Sequence, residues 1–323
     1  MYKVQRFLII GAGILCLFSC SRKSVVIDRP AFSSDSAYAY IERQMAFGPR
    51  VPNSAAHMQC AVWLIEQLRA FGAEVELQKG FMPDYRGHDQ QIYNIIGHFN
   101  LPDSTSRPRI LLGAHYDCRP WCDEEPDYAD RQYNVPGAND GASGVGVLLE
   151  VARQLGLRDS LLTTPVDIIF FDCEDSGSPK LYTGPEREDT WCLGSQLWAT
   201  HYAKQGTAVY QFGIVLDMIG APDASFPREM YSTNYASNYQ QQIWRTAEQL
   251  GYGSLFNSKQ SYPITDDHYY INRIAGIPCV DIIHYDIRNN TGFPWWWHTR
   301  KDDMSNISRS TLQAVGEVVM AQL

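Results

Sequence analysis

Three short stretches of buried-strand character each run into acid or imidazole, and this repeated pattern constrains the fold more than any other feature of the chain. Arg109–His115 closes on His115 and Asp117, Val166–Asp172 leads into Asp172, Glu174 and Asp175, and Phe212–Leu216 meets Asp217. Between and around them lie stretches that predict helices: Ala37–Met45, Ala55–Phe71, Gly141–Leu155, Gly194–Lys204, Asn238–Leu250 and Ser310–Leu323. Pro278–Ile283 reads as a further strand, and Glu74–Gln78 and Tyr93–Phe99 alternate as exposed strands do. Strands interleaved with helices imply an α/β fold, with a largely parallel sheet covered by helices on both faces. In open sheets of this kind ligands bind at the carboxyl ends of the strands. Several strand ends here therefore deliver metal-ligand residue types to one edge.

The chain has 323 residues, enough for one large α/β domain or two small ones. Its formal net charge of −9 argues against nucleic acid as a partner, because phosphate binding relies on Lys and Arg. The N-terminus reads as a signal rather than as fold. Lys3 and Arg6 precede an apolar run, Phe7 to Leu17, too short to span a bilayer comfortably. Leu17-Phe18-Ser19-Cys20 then resembles a bacterial lipobox, in which Cys20 would carry the lipid anchor. Either an anchored or a plain secretory signal predicts export, to a bacterial cell envelope and a periplasm-facing position. Removing residues 1–19 takes away Lys3 and Arg6 and leaves −11. Residues 21–34 read as a linker, and residues 35–323 as the catalytic domain. Six cysteines remain after the signal, and an exported chain can pair them, in fifteen ways the sequence does not choose among. Cys118 and Cys122 have the look of half a zinc site, but no second pair completes it.

The residues able to do chemistry follow in order. His115-Tyr-Asp117 ends one strand, and Asp140 sits in the glycine-rich turn Gly137–Gly144 before a helix. Glu174-Asp175 and Asp217 end two more strands. Asp266-Asp267-His268 follows a Pro-containing loop, and His298 closes Pro294-Trp-Trp-Trp. Taken singly each has a plain reading. Asp140 is a turn or helix-cap residue, Glu174-Asp175 a solvated strand end, and His298 a structural imidazole. Three adjacent tryptophans cannot all face one core, so some face a cavity or the surface. Borderline-soft zinc takes imidazole nitrogen and carboxylate oxygen, and a catalytic site wants three protein ligands and one open position.

As an ordered set, His-x-Asp, Asn-Asp-Gly-Ala-Ser-Gly, Glu-Asp, Asp-Met-Ile-Gly and His-Thr, the chain resembles the M28-type zinc aminopeptidases and their relatives, the animal-type glutaminyl cyclases. The match spans residues 113–303 and is extended by Phe47-Gly-Pro-Arg50. It implies a single-domain α/β sandwich with a mixed, mostly parallel sheet flanked by helices. It leaves two chemistries open. An aminopeptidase would hold two zincs on His115, Asp140, Asp175, Asp217 and His298, with Glu174 as base. A cyclase would hold one zinc per chain, on Asp140, Asp175 and His298. The stretches Asp217–Pro222, Asp266-Asp267-His268 and Phe293-Pro294 with Trp297-His298-Thr299 resemble the cyclases. On that resemblance Glu174, Asp217 and Asp266 are catalytic, while Trp297, Phe293 and Trp191 wall the substrate pocket. The reaction implied closes an N-terminal glutamine, on an exported peptide or protein, into pyroglutamate with release of ammonia. If Asp266 lies against Asp217, one of the two carboxyls keeps its proton and Asp217 becomes a poor ligand for a second metal. The departures are Asp175, where the animal enzymes carry Glu, Asp281, where they have His nearby, and the segment Ser176–Trp191. No Gly-x-Ser-x-Gly and no Cys with a His partner suggests another hydrolase.

Overall fold

The computed structural model describes Met1 and residues 29–99, 107–157, 164–185 and 187–323. The expected signal, Cys20 and most of the linker lie outside the described residues. At its visible start the chain is already tied to the domain. Arg29 donates to the Glu317 carboxylate at 2.6 Å and to the Leu250 carbonyl at 2.9 Å.

Six strands form one sheet: β1 (Glu74–Pro83), β2 (Asp89–Phe99), β3 (Arg109–His115), β4 (Val166–Phe171), β5 (Tyr210–Asp217) and β8 (Cys279–Ile283). Their order is β1-β2-β4-β3-β5-β8. The pairs β4–β3, β3–β5 and β5–β8 are parallel, whereas β1–β2 and β2–β4 are antiparallel. The sheet is therefore mixed, with a parallel half that carries the chemistry. A two-stranded ribbon, β6 (Phe226–Arg228) with β7 (Phe256–Gln260), lies apart.

The parallel strands β3, β4, β5 and β8 are buried on both faces for most of their length because helices cover both, whereas edge strand β1 stays largely exposed. On one side lie α1 (Ser34–Met45), α2 (Ala55–Ala70), α3 (Ala142–Leu157), α5 (Met230–Gln249) and α7 (Arg309–Met320). On the other lie α4 (Leu193–Gln205) and the short α6 (Asp267–Tyr270). Side chains alternate across a strand with period two. In β4, Val166, Ile168 and Phe170 enter the larger core, while Ile169 and Phe171 enter the smaller core with Trp198 and Ile271. Asp167 is the exception to the apolar reading of β4. It is buried between Arg109 Nε at 2.8 Å, His98 Nδ1 at 2.8 Å and the Tyr210 hydroxyl at 2.5 Å. A buried carboxylate is tolerated when it is paired and hydrogen-bonded in this way.

Two expectations are corrected. Tyr93–Phe99 is not an exposed strand: Asn94–Gly97 and Phe99 are buried, because β2 sits between β1 and β4 under α2. Helix α5 begins at Met230, eight residues before Asn238. The Glu229 carboxylate caps it, accepting the amides of Tyr231 at 2.8 Å and Ser232 at 2.6 Å. The six cysteines among the described residues are all unpaired and buried.

Candidate metal centre and active site

The parallel strands place their carboxyl ends side by side, and the loops leaving them converge. β3 delivers His115 and Asp117, the turn before α3 delivers Asp140, β4 delivers Glu174 and Asp175, and β5 delivers Asp217. Asp266 caps α6, and His298 stands in the turn after the tryptophans with φ 53°. Of the sequence-derived set within the described residues, all nine are brought to this one place. Glu174, Asp140, Asp175, Asp217, Asp266, Trp191, Phe293 and Trp297 line a single cavity of about 670 Å3. His298 adjoins it, with Nε2 3.0 Å from Asp175 Oδ1.

The metal donors are set by geometry. His298 Nε2 is 3.0 Å from Asp175 Oδ1 and 3.5 Å from Asp140 Oδ2. Asp140 Oδ2 and Asp175 Oδ2 are buried with no hydrogen-bond partner. Unsatisfied buried carboxylate oxygens are costly, and a cation shared with an imidazole satisfies them. One nitrogen and two carboxylate oxygens, with every donor within 4.8 Å of the others and a cavity above, fit zinc with one position open. His298 holds the Asp175 carboxyl well below its ordinary range, against the effect of burial.

Support for these ligands comes from groups behind them. Asp302 accepts the amides of Asn139 at 2.8 Å and Asp140 at 3.1 Å, which fixes the turn presenting Asp140. Asp117 accepts the amides of Glu174 at 3.1 Å and Asp175 at 3.2 Å. Arg119, fully buried, donates to the carbonyls of Asp175, Gly177 and Ser178, each at 2.9 Å, and to Asp123 at 2.7 Å. Its guanidinium also lies 4.5 Å from the Trp191 ring. Gly177 has to be glycine, since a Cβ there would run into the Trp191 indole. Trp191 and Trp297 both lie parallel to the His298 imidazole, at centroid distances of 6.2 and 3.7 Å, and Phe293 packs on Trp297 at 4.4 Å. The three tryptophans divide as their adjacency requires. Trp296 is 1% exposed in the core, Trp295 is 63% exposed, and Trp297 walls the cavity.

A second donor set adjoins the first. His115 Nε2 is 3.0 Å from Asp140 Oδ1 and 3.2 Å from Asp217 Oδ1. Burial alone would depress His115, but Asp117, Asp140 and Asp217 outweigh it and raise its proton affinity well above the ordinary imidazole value. Burial, followed by the charge of Asp140, pushes Asp217 up to about 8. Burial and the neighbouring Asp175 likewise raise Glu174 well above the carboxylate range. Asp266 and Asp217 line the same cavity, and after burial and Asp140 the charge of Asp266 adds to the rise at Asp217, the direction expected if one of the two keeps its proton. Among the described residues no hydrogen bond joins the two: Asp217 Oδ1 lies 3.2 Å from His115 Nε2, and Asp266 Oδ1 accepts the Asp267 amide at 2.5 Å. On β8, next to β5, Asp281 Oδ2 lies 3.4 Å from His268 Nδ1.

Sequence reasoning missed Arg119, Asp302 and Cys192. Asp302 and Arg119 sit close to motifs already singled out, but nothing in a sequence marks a charged residue as buried.

Comparison with known proteins places this architecture. The family model described as peptidase family M28 matches residues 94–323. The aminopeptidase YwaD of Bacillus subtilis is 30% identical over 237 residues, covering 72% of this chain. The chain spans only 44% of that protein's length. The glutaminyl-peptide cyclotransferase of Bos taurus is 27% identical over 297 residues, covering 84% of this chain and 76% of that one. Among solved structures, the glutaminyl cyclase of Tannerella forsythia is 45% identical, with a TM-score of 0.85 over 90% of this chain and 98% of that one. A zinc-type donor set at the carboxyl edge of a mixed sheet, within a stretch that the family model matches from Asn94 to the last residue, shows that the chain belongs to peptidase family M28.

Proposed function

We propose that the chain is a zinc-dependent glutaminyl-peptide cyclotransferase, acting on exported peptides and proteins with an N-terminal glutamine. What carries the reading is the likeness to the T. forsythia cyclase, 45% identical across 98% of that protein. The aminopeptidase YwaD is matched over 44% of its length, against 76% for the bovine cyclotransferase. A solved structure described as a leucine aminopeptidase precursor of Bacteroides thetaiotaomicron is 43% identical over 98% of that chain and keeps the second reading below in play.

One zinc held by Asp140, Asp175 and His298 would supply Lewis-acid polarisation of the substrate's side-chain amide. The protein's own groups do the rest. Both reacting groups belong to one glutamine, so a cavity that holds it folded removes most of the entropic cost of ring closure. Glu174 takes a proton from the α-amine as its nitrogen bonds to the side-chain amide carbon, then gives that proton to the departing amide nitrogen, which leaves as ammonia. Asp217 and Asp266 anchor that nitrogen. Trp297, Phe293 and Trp191 keep water out, which prevents hydrolysis to glutamate. The signal-like N-terminus and Cys20 support an envelope-anchored enzyme.

A second reading, a two-zinc aminopeptidase, has its own observation. His115, Asp140 and Asp217 also bring three donors within 4.8 Å. The two separate on metal dependence. Chelator-stripped protein titrated with zinc, with ammonia release from a Gln-initiated peptide followed, is expected to reach full rate at one equivalent. A plateau at two equivalents with free amino acid as product supports the aminopeptidase.

A further inference from the structure

Among the described residues, the carboxylate of Glu174 receives a hydrogen bond from one protein group, and that group is a thiol. Cys192 Sγ donates to Glu174 Oε1 at 3.0 Å, with both residues buried. The two are locked in register by the backbone. The Cys192 amide donates to the Glu174 carbonyl at 2.8 Å, and the Leu193 amide to the Cys173 carbonyl at 3.1 Å.

Cys192 occupies a costly place for its residue type. It precedes α4 in the left-handed region, φ 55° and ψ 38°, where glycine or asparagine is accommodated more easily. Its side chain makes no capping bond to the helix, so helix capping does not account for the thiol. Burial, then the charges of Glu174, Asp267 and Asp266, raise its proton affinity well above that of an ordinary cysteine. It stays an S–H donor rather than a thiolate nucleophile.

We propose that Cys192 is a positioning residue for the base: its S–H holds Glu174 Oε1 and leaves the other oxygen to the cavity and the substrate amine. A thiol is a weak donor. It fixes the direction of the carboxylate and leaves its negative charge available to the proton it must accept. The inference rests on the reading of Glu174 as base.

Cys192→Ala and Cys192→Ser test it, with kcat and KM measured on a Gln-initiated peptide. A misdirected base lowers kcat by about 10-fold to 100-fold in the Ala variant, with KM unchanged within about twofold. The Ser variant, whose hydroxyl can donate to the same oxygen, is expected to recover most of that loss. The infrared S–H stretch gives a readout independent of turnover. One buried thiol band is expected to shift between the wild-type protein and Glu174→Gln, and to vanish in Cys192→Ala. An Ala variant with kcat within about twofold of wild type, or a Ser variant no better than Ala, overturns the proposal. So does an S–H spectrum that Glu174→Gln leaves unchanged. If the Ala variant does not fold, the Ser variant and the infrared pair decide. If the wild-type protein releases no ammonia from the peptide, the cyclase reading fails, and the infrared pair still decides the Cys192–Glu174 contact.

Discussion

Glu174 and Asp175 are neighbours in sequence with opposed tasks, and their surroundings separate them. Against burial, His298 holds the Asp175 carboxyl low, while burial and the charge of Asp175 keep the proton affinity of Glu174 raised in spite of His115 nearby. Glu174→Gln is expected to lower ammonia release by about 10²–10⁴-fold and leave zinc content unchanged, which kinetics and metal analysis check together. Asp302 acts behind the metal. Asp302→Asn weakens its grip on the Asn139 and Asp140 amides, and is expected to reduce zinc affinity by about 10-fold to 100-fold in a chelator competition. At this scale the sequence was most legible where residues carry their own chemistry. The converging donors Asp140, Asp175 and His298, with Glu174 and the aromatic residues of the cavity, were nameable from the family resemblance. Arg119, Asp302 and Cys192 were not, because each acts through a partner remote in sequence.

The elements were legible wherever apolar spacing decides them. β3, β4, α3 and α7 lie within a few residues of their expected bounds. β2 was misread as exposed because alternation describes a strand's side chains and not its position in the sheet. α5 was begun too late because its cap is a glutamate rather than Ser, Thr or Asn. That cap supports a prediction of its own. Buried Glu229 accepts three amides, those of Tyr231, Ser232 and Ile264, with the Ser232 hydroxyl at 2.9 Å and His268 Nε2 at 3.0 Å. These partners, His268 foremost, outweigh burial and hold its carboxyl down to about 2. A depressed acid contributes stability that is fully present above its unfolded value and is lost as pH falls through its folded one. Glu229→Gln is expected to cost about 1.5–3 kcal/mol at neutral pH in urea unfolding. The gap to wild type should close as pH falls from roughly 4.3 towards 2.

For the whole molecule, acid stability has a second contributor in His284, which is 1% exposed against Trp296 and has no partner for Nδ1. Burial pushes it down to about 4. The unfolded chain therefore binds its proton first, and stability falls as pH drops from roughly 6.5 to about 4. Thermal midpoints across that window are expected to fall less steeply in His284→Leu than in the wild-type protein. Fold class and chemistry were legible together because one parallel half-sheet generates both. The strand ends that define the topology also carry the ligands. The choice between ring closure and peptide cleavage is made in one cavity, and product identity reads it directly. Incubation of the signal-free protein, residues 23–323, with a Gln-initiated peptide, followed by mass spectrometry, is expected to show loss of one ammonia with every peptide bond intact. A peptide shortened by its whole first residue would contradict the cyclase reading and direct attention to a second zinc at His115 and Asp217.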